Sequence, residues 1–405
     1  MTVAAMRCTR CGARVEQADR FCEECGRDLA GERIALPPTD SVADGPCRGC
    51  GGEQYDVDGY CTACGELWSA PDRHAAAVDA VAVITDRGLV HARNEDSVAA
   101  IVMDGVTIVV VADGVSTSED PRAASGAATR AGAEATRLAL VSGAADPEAA
   151  MAGLSAAAEA VRVVAAQGQA PSCTYVSAIV RTTPSGTEVT TANVGDSRAY
   201  WLCGPTGHAA PPPDTELVDS TPSDPADRAA RPTPWSRAKS GVGSIPASNP
   251  PVPQPTSGSV SEDDIPDVVD SRPAHRIPRD GASQRLTLDD SWAQALVTAG
   301  AMDERAAMND PRAHMLLRWL GADAGPRPWA AGCVRTVRVR GAGVLLVCSD
   351  GLWNYAPEAE ELAARVAGAA PMRAARDLVD FAVACGGGDN ITVAIVGVAP
   401  SGGMS

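Results

Sequence analysis

The run VTIVVVADG (106–114) sets six apolar side chains and a threonine ahead of an aspartate and a glycine. Valine and isoleucine branch at Cβ and favour a pleated backbone, so the run reads as a buried strand whose end presents Asp113-Gly114. LLVCSDG (345–351) repeats the plan with Asp350-Gly351, and GGGDN (386–390) places Asp389 just before another apolar run, 391–398. Asn94-Glu95-Asp96 and Asn193-Val194-Gly195-Asp196 stand beside further such runs. Any one Asp-Gly is best read as a turn. Carboxylates that recur at strand ends repel one another unless a cation neutralises them. An oxygen-only set, without histidine or cysteine, suits a hard ion such as magnesium or manganese.

Working outward, strands are expected near 78–85, 97–103 and 106–112, with Asp104-Gly105 as the hairpin turn between the last two. Helices should open at Asp120-Pro121 and Asp146-Pro147, where aspartate caps and proline fits the first turn, and stop at Gly143 and Gly168. Strands follow near 174–182, 187–194 and 197–202, the first two joined through Pro184-Ser185-Gly186. Beyond them come strands near 334–339 and 343–348, helices from Pro357 and Pro371, and a last strand at 391–398. Strands in hairpin groups and helices in pairs argue for α+β architecture, antiparallel sheets covered by helices, and against a βαβ alternation. TLDDSWAQALVTAG (287–300) reads as a capped amphipathic helix ending at Gly300.

Residues 204–281 hold 16 of the 30 prolines and few apolar side chains, which predicts a disordered insertion within the domain. Eight of the thirteen cysteines crowd the N-terminus as a repeat: Cys8, Cys11, Cys22 and Cys25 recur thirty-nine positions on as Cys47, Cys50, Cys61 and Cys64. Glycine follows each pair (Gly12, Gly26, Gly51, Gly65), as a tight knuckle turned toward thiolates requires. Four thiolates suit one tetrahedral zinc, and without a secretion signal metal outweighs a disulfide framework. Phe21 and Tyr60 are expected to supply most of each small core. This doubled module resembles a double zinc ribbon, which implies two closed structural zinc sites. The expected division is 1–70 for the ribbons and 76–400 for the larger α+β domain, linked through prolines 37, 38 and 71 and the alanines around Ala75.

The chain has 405 residues, 34 basic and 51 acidic, for a net charge of −17. That balance disfavours nucleic acid and anionic membrane as partners. No apolar signal core opens the chain, so a cytoplasmic protein is expected. The single lysine, Lys239, lies in the proline-rich stretch, which leaves a P-loop, kinase or Schiff-base lysine without a candidate. None of the lone cysteines sits in a phosphate-cradling loop, and Cys173 and Cys348 read as core residues.

Seven segments then fall in one order: TDRGLVHARNEDS (85–97), VADG (111–114), VGDSRAYW (194–201), LTLDDSW (286–292), LRWLGAD (317–323), VCSDGLWN (347–354) and GGDNITVAIV (387–396). This series resembles the signature of the metal-dependent protein phosphatases, the PPM-type or protein phosphatase 2C family. The resemblance implies two antiparallel sheets packed face to face between helices, an αββα sandwich. It also implies hydrolysis of phosphoserine and phosphothreonine in proteins by a hydroxide bridging two Mg or Mn ions, opposing a serine/threonine kinase. In that pattern Asp113 bridges both ions, Asp350 and Asp389 hold one, Glu95 and the Gly114 carbonyl hold the other, and Asp96 supports them. Asp196 would help Asp350 bind a third, weaker ion, and 286–323 resembles the flap beside the active site.

Three positions depart from the pattern. His91 stands where the family has an arginine, so Arg93 becomes the candidate for the substrate phosphate. If 91–95 is extended, residues 91, 93 and 95 share a face, with His91 as the alternative ligand. Val115-Ser116-Thr117-Ser118 replaces segments that in relatives carry a general acid. Asp290 and Asn309-Asp310-Pro311 stand where the flap often has histidines. Two other classes are weighed against the enzyme: a pseudophosphatase that only binds phosphoproteins, disfavoured because Glu95, Asp113, Asp350 and Asp389 are all present, and a zinc-ribbon nucleic-acid protein, disfavoured by charge. A protein partner for the ribbons is left open.

Overall fold

The computed structural model describes residues 73–399 apart from 104, 166–169, 184–185, 204–281 and 340; ahead of these it describes 8, 11–16, 19–26, 29, 31–37, 47, 50–55 and 61–65. The expected insertion 204–281, with Lys239, and the expectations for Asp104, Gly168, Pro184-Ser185, Pro38, Tyr60 and Pro71 lie outside the described residues.

In chain order the strands are β1 (Glu32–Leu36), β2 (Arg73–Val78), β3 (Val81–Asp86), β4 (Ser97–Met103), β5 (Val106–Ala112), β6 (Ser172–Cys173), β7 (Tyr175–Thr183), β8 (Gly186–Val194), β9 (Arg198–Cys203), β10 (Gln284–Arg285), β11 (Leu320–Gly321), β12 (Val334–Val339), β13 (Gly343–Cys348) and β14 (Ile391–Val398). The helices are α1 (Pro121–Val141), α2 (Asp146–Val164), α3 (Trp292–Thr298), α4 (Glu304–Ala307), α5 (Asp350–Trp353), α6 (Ala359–Val366) and α7 (Pro371–Ala384). One six-stranded sheet runs β1-β4-β5-β7-β8-β12, a second runs β10-β9-β13-β14-β3-β2, and β11 pairs with β6. Every pairing is antiparallel.

The sheets pack face to face because their inner strands alternate apolar residues between two buried layers. Val109, Val111, Ala178, Val347 and Ala394 fill the layer between the sheets. Ile108, Val110 and Ile179 face α1 and α2 instead, and Ile84, Leu346 and Ile395 face α5, α6 and α7. The observed order of layers is helix, sheet, sheet, helix, the expected sandwich, with Cys173 and Cys348 fully buried in it.

Several local expectations need correction. The alanine-rich stretch around Ala75 is not a linker: Arg73–Val78 forms β2, paired residue for residue with β3. Glu32–Leu36, from between the two cysteine modules, forms the edge strand β1, in register from Glu32↔Val102 to Leu36↔Val98. A boundary that assigns 1–70 wholly to a separate module therefore cuts through a sheet. Asp146 does not cap α2; Ala145 holds the cap position and Asp146 pairs with Arg181. The cap of α3 is Ser291, whose hydroxyl accepts from the Gln294 amide.

Candidate metal centre

One end of the sandwich collects the strand ends that matter. Glu95 and Asp96 precede β4, Asp113 follows β5, Asp196 lies in the turn between β8 and β9, Asp350 follows β13, and Asp389 precedes β14. Antiparallel pairing forces this convergence: β13 lies between β9 and β14, so the Asp196 turn, the Asp350 end and the Asp389 start fall side by side.

The backbone there is tightly tied. Asp113 donates its amide to Thr174 Oγ1 at 3.0 Å and accepts from the Thr174 amide at 2.7 Å. Ser349 donates its hydroxyl to Asp96 Oδ2 at 2.7 Å and accepts from the Thr392 amide at 2.9 Å. Asn390 anchors the loop before β4: its Oδ1 accepts from the Glu95 amide at 2.7 Å, and its Nδ2 donates to the carbonyls of Arg87 at 2.8 Å and Arg93 at 3.0 Å. The glycine of the SDG motif is explained by approach: a Cβ on Gly351 would lie 2.1 Å from the Asn390 carbonyl oxygen.

Burial, then mutual repulsion, unsettles the charge of these carboxylates. Asp113 is raised well above the usual range by burial and by Asp96, Asp350, Asp389 and Asp196. Burial pushes Asp96 up to about 7 and Asp350 up to about 6. Asp196 is also raised well above its usual range, by burial and then by Asp350. Asp96 Oδ1 and Asp350 Oδ1 are buried without a hydrogen-bond partner. A divalent cation among these oxygens would relieve both the repulsion and the orphaned atoms, so the residues present fit Mg or Mn.

The departures now have positions. His91 Nε2 lies 3.2 Å from Asp389 Oδ1. Arg93 is exposed, and 92–93 form a bend, so 91–95 is not the extended run in which alternate residues share a face. Among the described residues the Arg93 guanidinium has no hydrogen bond or ion pair. Ser116 donates its hydroxyl to Glu95 Oε2 at 2.5 Å. Asp290 is buried and pins the flap: it accepts from the Gly195 amide at 3.3 Å and pairs with Arg318 at 3.3 Å.

Sequence reasoning missed one residue altogether. His314, in the flap, offers a ring nitrogen that lies within 4.8 Å of carboxylate oxygens of Asp196 and Asp350. Its only sequence signal was its place in the flap-like segment, three residues after Asn309-Asp310-Pro311.

In the N-terminal modules the cysteines meet in two sets of four. Sγ atoms stand 3.6 Å apart for Cys8 and Cys25, 3.5 Å for Cys11 and Cys22, 3.5 Å for Cys47 and Cys64, and 3.6 Å for Cys50 and Cys61. A tetrahedron with Zn–S bonds of about 2.3 Å has edges of about 3.8 Å, so both sets are compatible with zinc. All four knuckle glycines are left-handed, φ between 71° and 75°, and each donates its amide to the carbonyl of the first cysteine of its pair. Phe21 does not form the first module's core. It is 53% exposed, while Val15, Leu29 and Val141 fill that place.

Among known proteins, the serine/threonine phosphatase stp of Listeria innocua is 36% identical over 115 residues, 28% of this chain and 43% of that protein. The stp of Listeria monocytogenes serovar 1/2a is 35% identical over 115 residues, with the same shares covered. The chain thus spans less than half the length of the curated relatives it matches. No family model matches. Two solved structures share the architecture. A bacterial serine phosphatase carrying an arginine-to-lysine mutation has TM-score 0.51 at 16% identity, over 79% of this chain and 98% of that one. Serine/threonine phosphatase Stp1 from Staphylococcus aureus has TM-score 0.50 at 16% identity, over 78% and 94%. The chain shares the fold of these phosphatases. In this sandwich, all the carboxylates expected at the centre stand at one end of the two sheets. No helix among the described residues is long and apolar enough to cross a membrane.

Proposed function

We propose that this chain hydrolyses phosphoserine and phosphothreonine in proteins, with Mg or Mn held by Asp113, Asp350 and Asp389 on one side and Asp113, Glu95 and the Gly114 carbonyl on the other. The observation that carries the reading is the convergence of these carboxylates with two buried oxygens that have no protein partner. When bound, such ions neutralise charge and activate a water at neutral pH. The chain's own residues then position and exclude. Asn390 fixes the Glu95 loop, Ser116 orients the Glu95 carboxylate, Asp96 and Ser349 brace the start of β4, and the flap pinned by Asp290 borders the site. Arg93 is the cation proposed for the substrate phosphate: it is exposed, two residues from Glu95, whereas His91 is engaged with Asp389. The two cysteine sets are proposed to hold one structural zinc each. A cytoplasmic location, and a serine/threonine kinase whose products serve as substrates, complete the reading.

The test is release of phosphate from a phosphothreonine peptide by the zinc-loaded protein with and without Mn²⁺. Metal-dependent turnover that falls to background in Asp113→Asn supports the proposal. A protein that binds the peptide but never turns it over, whatever cation is added, is a pseudophosphatase and sinks it.

A further inference from the structure

We propose that Leu89 and Val90 form an apolar ledge beside the centre that selects phosphoprotein substrates carrying large apolar side chains next to the phosphorylated residue. The inference deepens the phosphatase reading above and rests on it. The two residues lie at the tip of the turn between β3 and β4, within TDRGLVHAR (85–93). Turn tips favour Gly, Asn, Asp, Ser and Pro, so the turn itself does not call for leucine and valine. Leu89 is 64% exposed and Val90 71%. Single exposed apolar side chains are ordinary on a protein surface. These two are adjacent, and Ala92 just beyond them is exposed as well.

The ledge is held rigidly against the centre. Leu89 donates its amide to the Gly387 carbonyl at 2.8 Å, two residues before Asp389. Gly88 is left-handed, φ 72°, and a Cβ there would clash with the Asp389 carbonyl oxygen, so the turn lies directly on the loop that carries this carboxylate. A Cβ on Gly387 would lie 2.9 Å from Leu89 Cγ, which shows how closely the leucine covers that loop. On the other side of the pair, His91 Nε2 lies 3.2 Å from Asp389 Oδ1, and Arg87 donates to the His91 carbonyl at 2.7 Å. Asn390 closes the loop through the carbonyls of Arg87 and Arg93. Apolar surface fixed in this way needs little further ordering when a ligand covers it.

The occupant follows from the neighbours. Arg93, the cation proposed for the substrate phosphate, is exposed three residues beyond Val90 on the same loop. Three residues span at most about 11 Å. In an extended peptide, the residues one and two places from a phosphothreonine lie about 3 to 7 Å from it along the chain. A substrate whose phosphate reaches the centre therefore brings flanking side chains within reach of Leu89 and Val90. Leucine in a flanking position buries apolar surface there, and serine does not.

The test measures kcat/KM of full-length, zinc-loaded protein with Mn²⁺ on two phosphothreonine peptides, alike except that two leucines or two serines flank the phosphothreonine on each side. The ratio between the peptides is taken on one sample, so any loss of active protein cancels. Wild type should prefer the leucine peptide about fivefold, mainly through KM. Leu89→Ser combined with Val90→Ser should bring the ratio to about one, whereas Leu89→Met combined with Val90→Ile should keep it. A wild-type ratio near one, a ratio that the serine variant leaves unchanged, or a conservative variant that also falls to one overturns the ledge and leaves the phosphatase reading standing. No turnover of either peptide by wild type overturns both.

Discussion

At the scale of single residues, the centre stores its charge at a cost that pH should reveal. Asp96 and Asp350, raised to about 7 and about 6, keep a proton in the folded protein that the unfolded chain has lost above its ordinary value near 3.8. Between those limits the unfolded state binds fewer protons, so stability without Mg or Mn falls as pH rises from about 4 to about 7. A bound cation removes this cost. The melting temperature of zinc-loaded protein should therefore rise on adding Mn²⁺ by several degrees more at pH 8 than at pH 5.5; an equal rise at both would contradict the assignment of these carboxylates. Asp113→Asn and Asp350→Asn should each lower turnover by about a thousandfold or more, measured as kcat on a phosphopeptide. Arg93→Ala should raise KM several-fold with kcat little changed, and a larger effect from His91→Ala would assign the phosphate to His91. The aspartates were legible because each stands at one end of an apolar run, Asp113, Asp196, Asp350 and Asp389 with a glycine beside them. Asn390 was legible only as part of a motif, and its three bonds to the 87–95 loop depend on a pairing of distant segments that no local pattern announces.

At the scale of elements, the long strands announced themselves and the edges did not. VTIVVVA and ITVAIVGV carry enough β-branched residues to be read alone. ERIAL and RHAAAV do not, since five or six residues with charge and alanine become strands only when β4 and β3 offer an open edge. The edge then matters for stability. β1 buries Ile34 and Leu36, each worth about 2 kcal/mol, and the Ser97 hydroxyl donates to the Leu36 carbonyl at 3.0 Å beside Asp96. β2 adds Arg73, paired at 2.5 Å with both Asp86 and Asp380. A chain beginning at Ala76, the expected boundary, loses all of β1 and half of β2 and leaves one edge of β4 open, its other edge still paired with β5. It should melt several degrees lower than the full chain and aggregate more readily. A melting temperature equal to that of the full chain would show that neither edge strand contributes.

At the scale of the whole molecule, the repeat of eight cysteines was the clearest signal in the sequence, yet it hid an asymmetry between its halves. The first module is built into the sandwich. Cys8, Val15, Cys22 and Leu29 pack with Val141 at the end of α1, and buried Arg137 donates to the Leu29 carbonyl at 2.5 Å while it pairs with Glu134. Arg130, on the same helix, donates to the Pro37 carbonyl at 2.6 Å beyond β1. The contacts described for the second module run within it, from Thr62 to Gln54 and from Tyr55 to Cys61. The repeat could not reveal this, because identical spacing fixes identical metal sites and says nothing of the surface outside them. Removing one thiolate should empty either site, so Cys22→Ser and Cys61→Ser should each reduce zinc from about two per chain to about one by elemental analysis. The consequences should then diverge. Cys22→Ser unseats Val15 and Leu29 from Val141 and loosens the hold on β1, so the melting temperature of the sandwich and its activity on a small phosphate ester should both drop. Cys61→Ser should leave both within error of wild type. Equal losses in the two variants would mean that the second module also braces the sandwich, and no loss in either would mean that the packing around Val141 carries no stability.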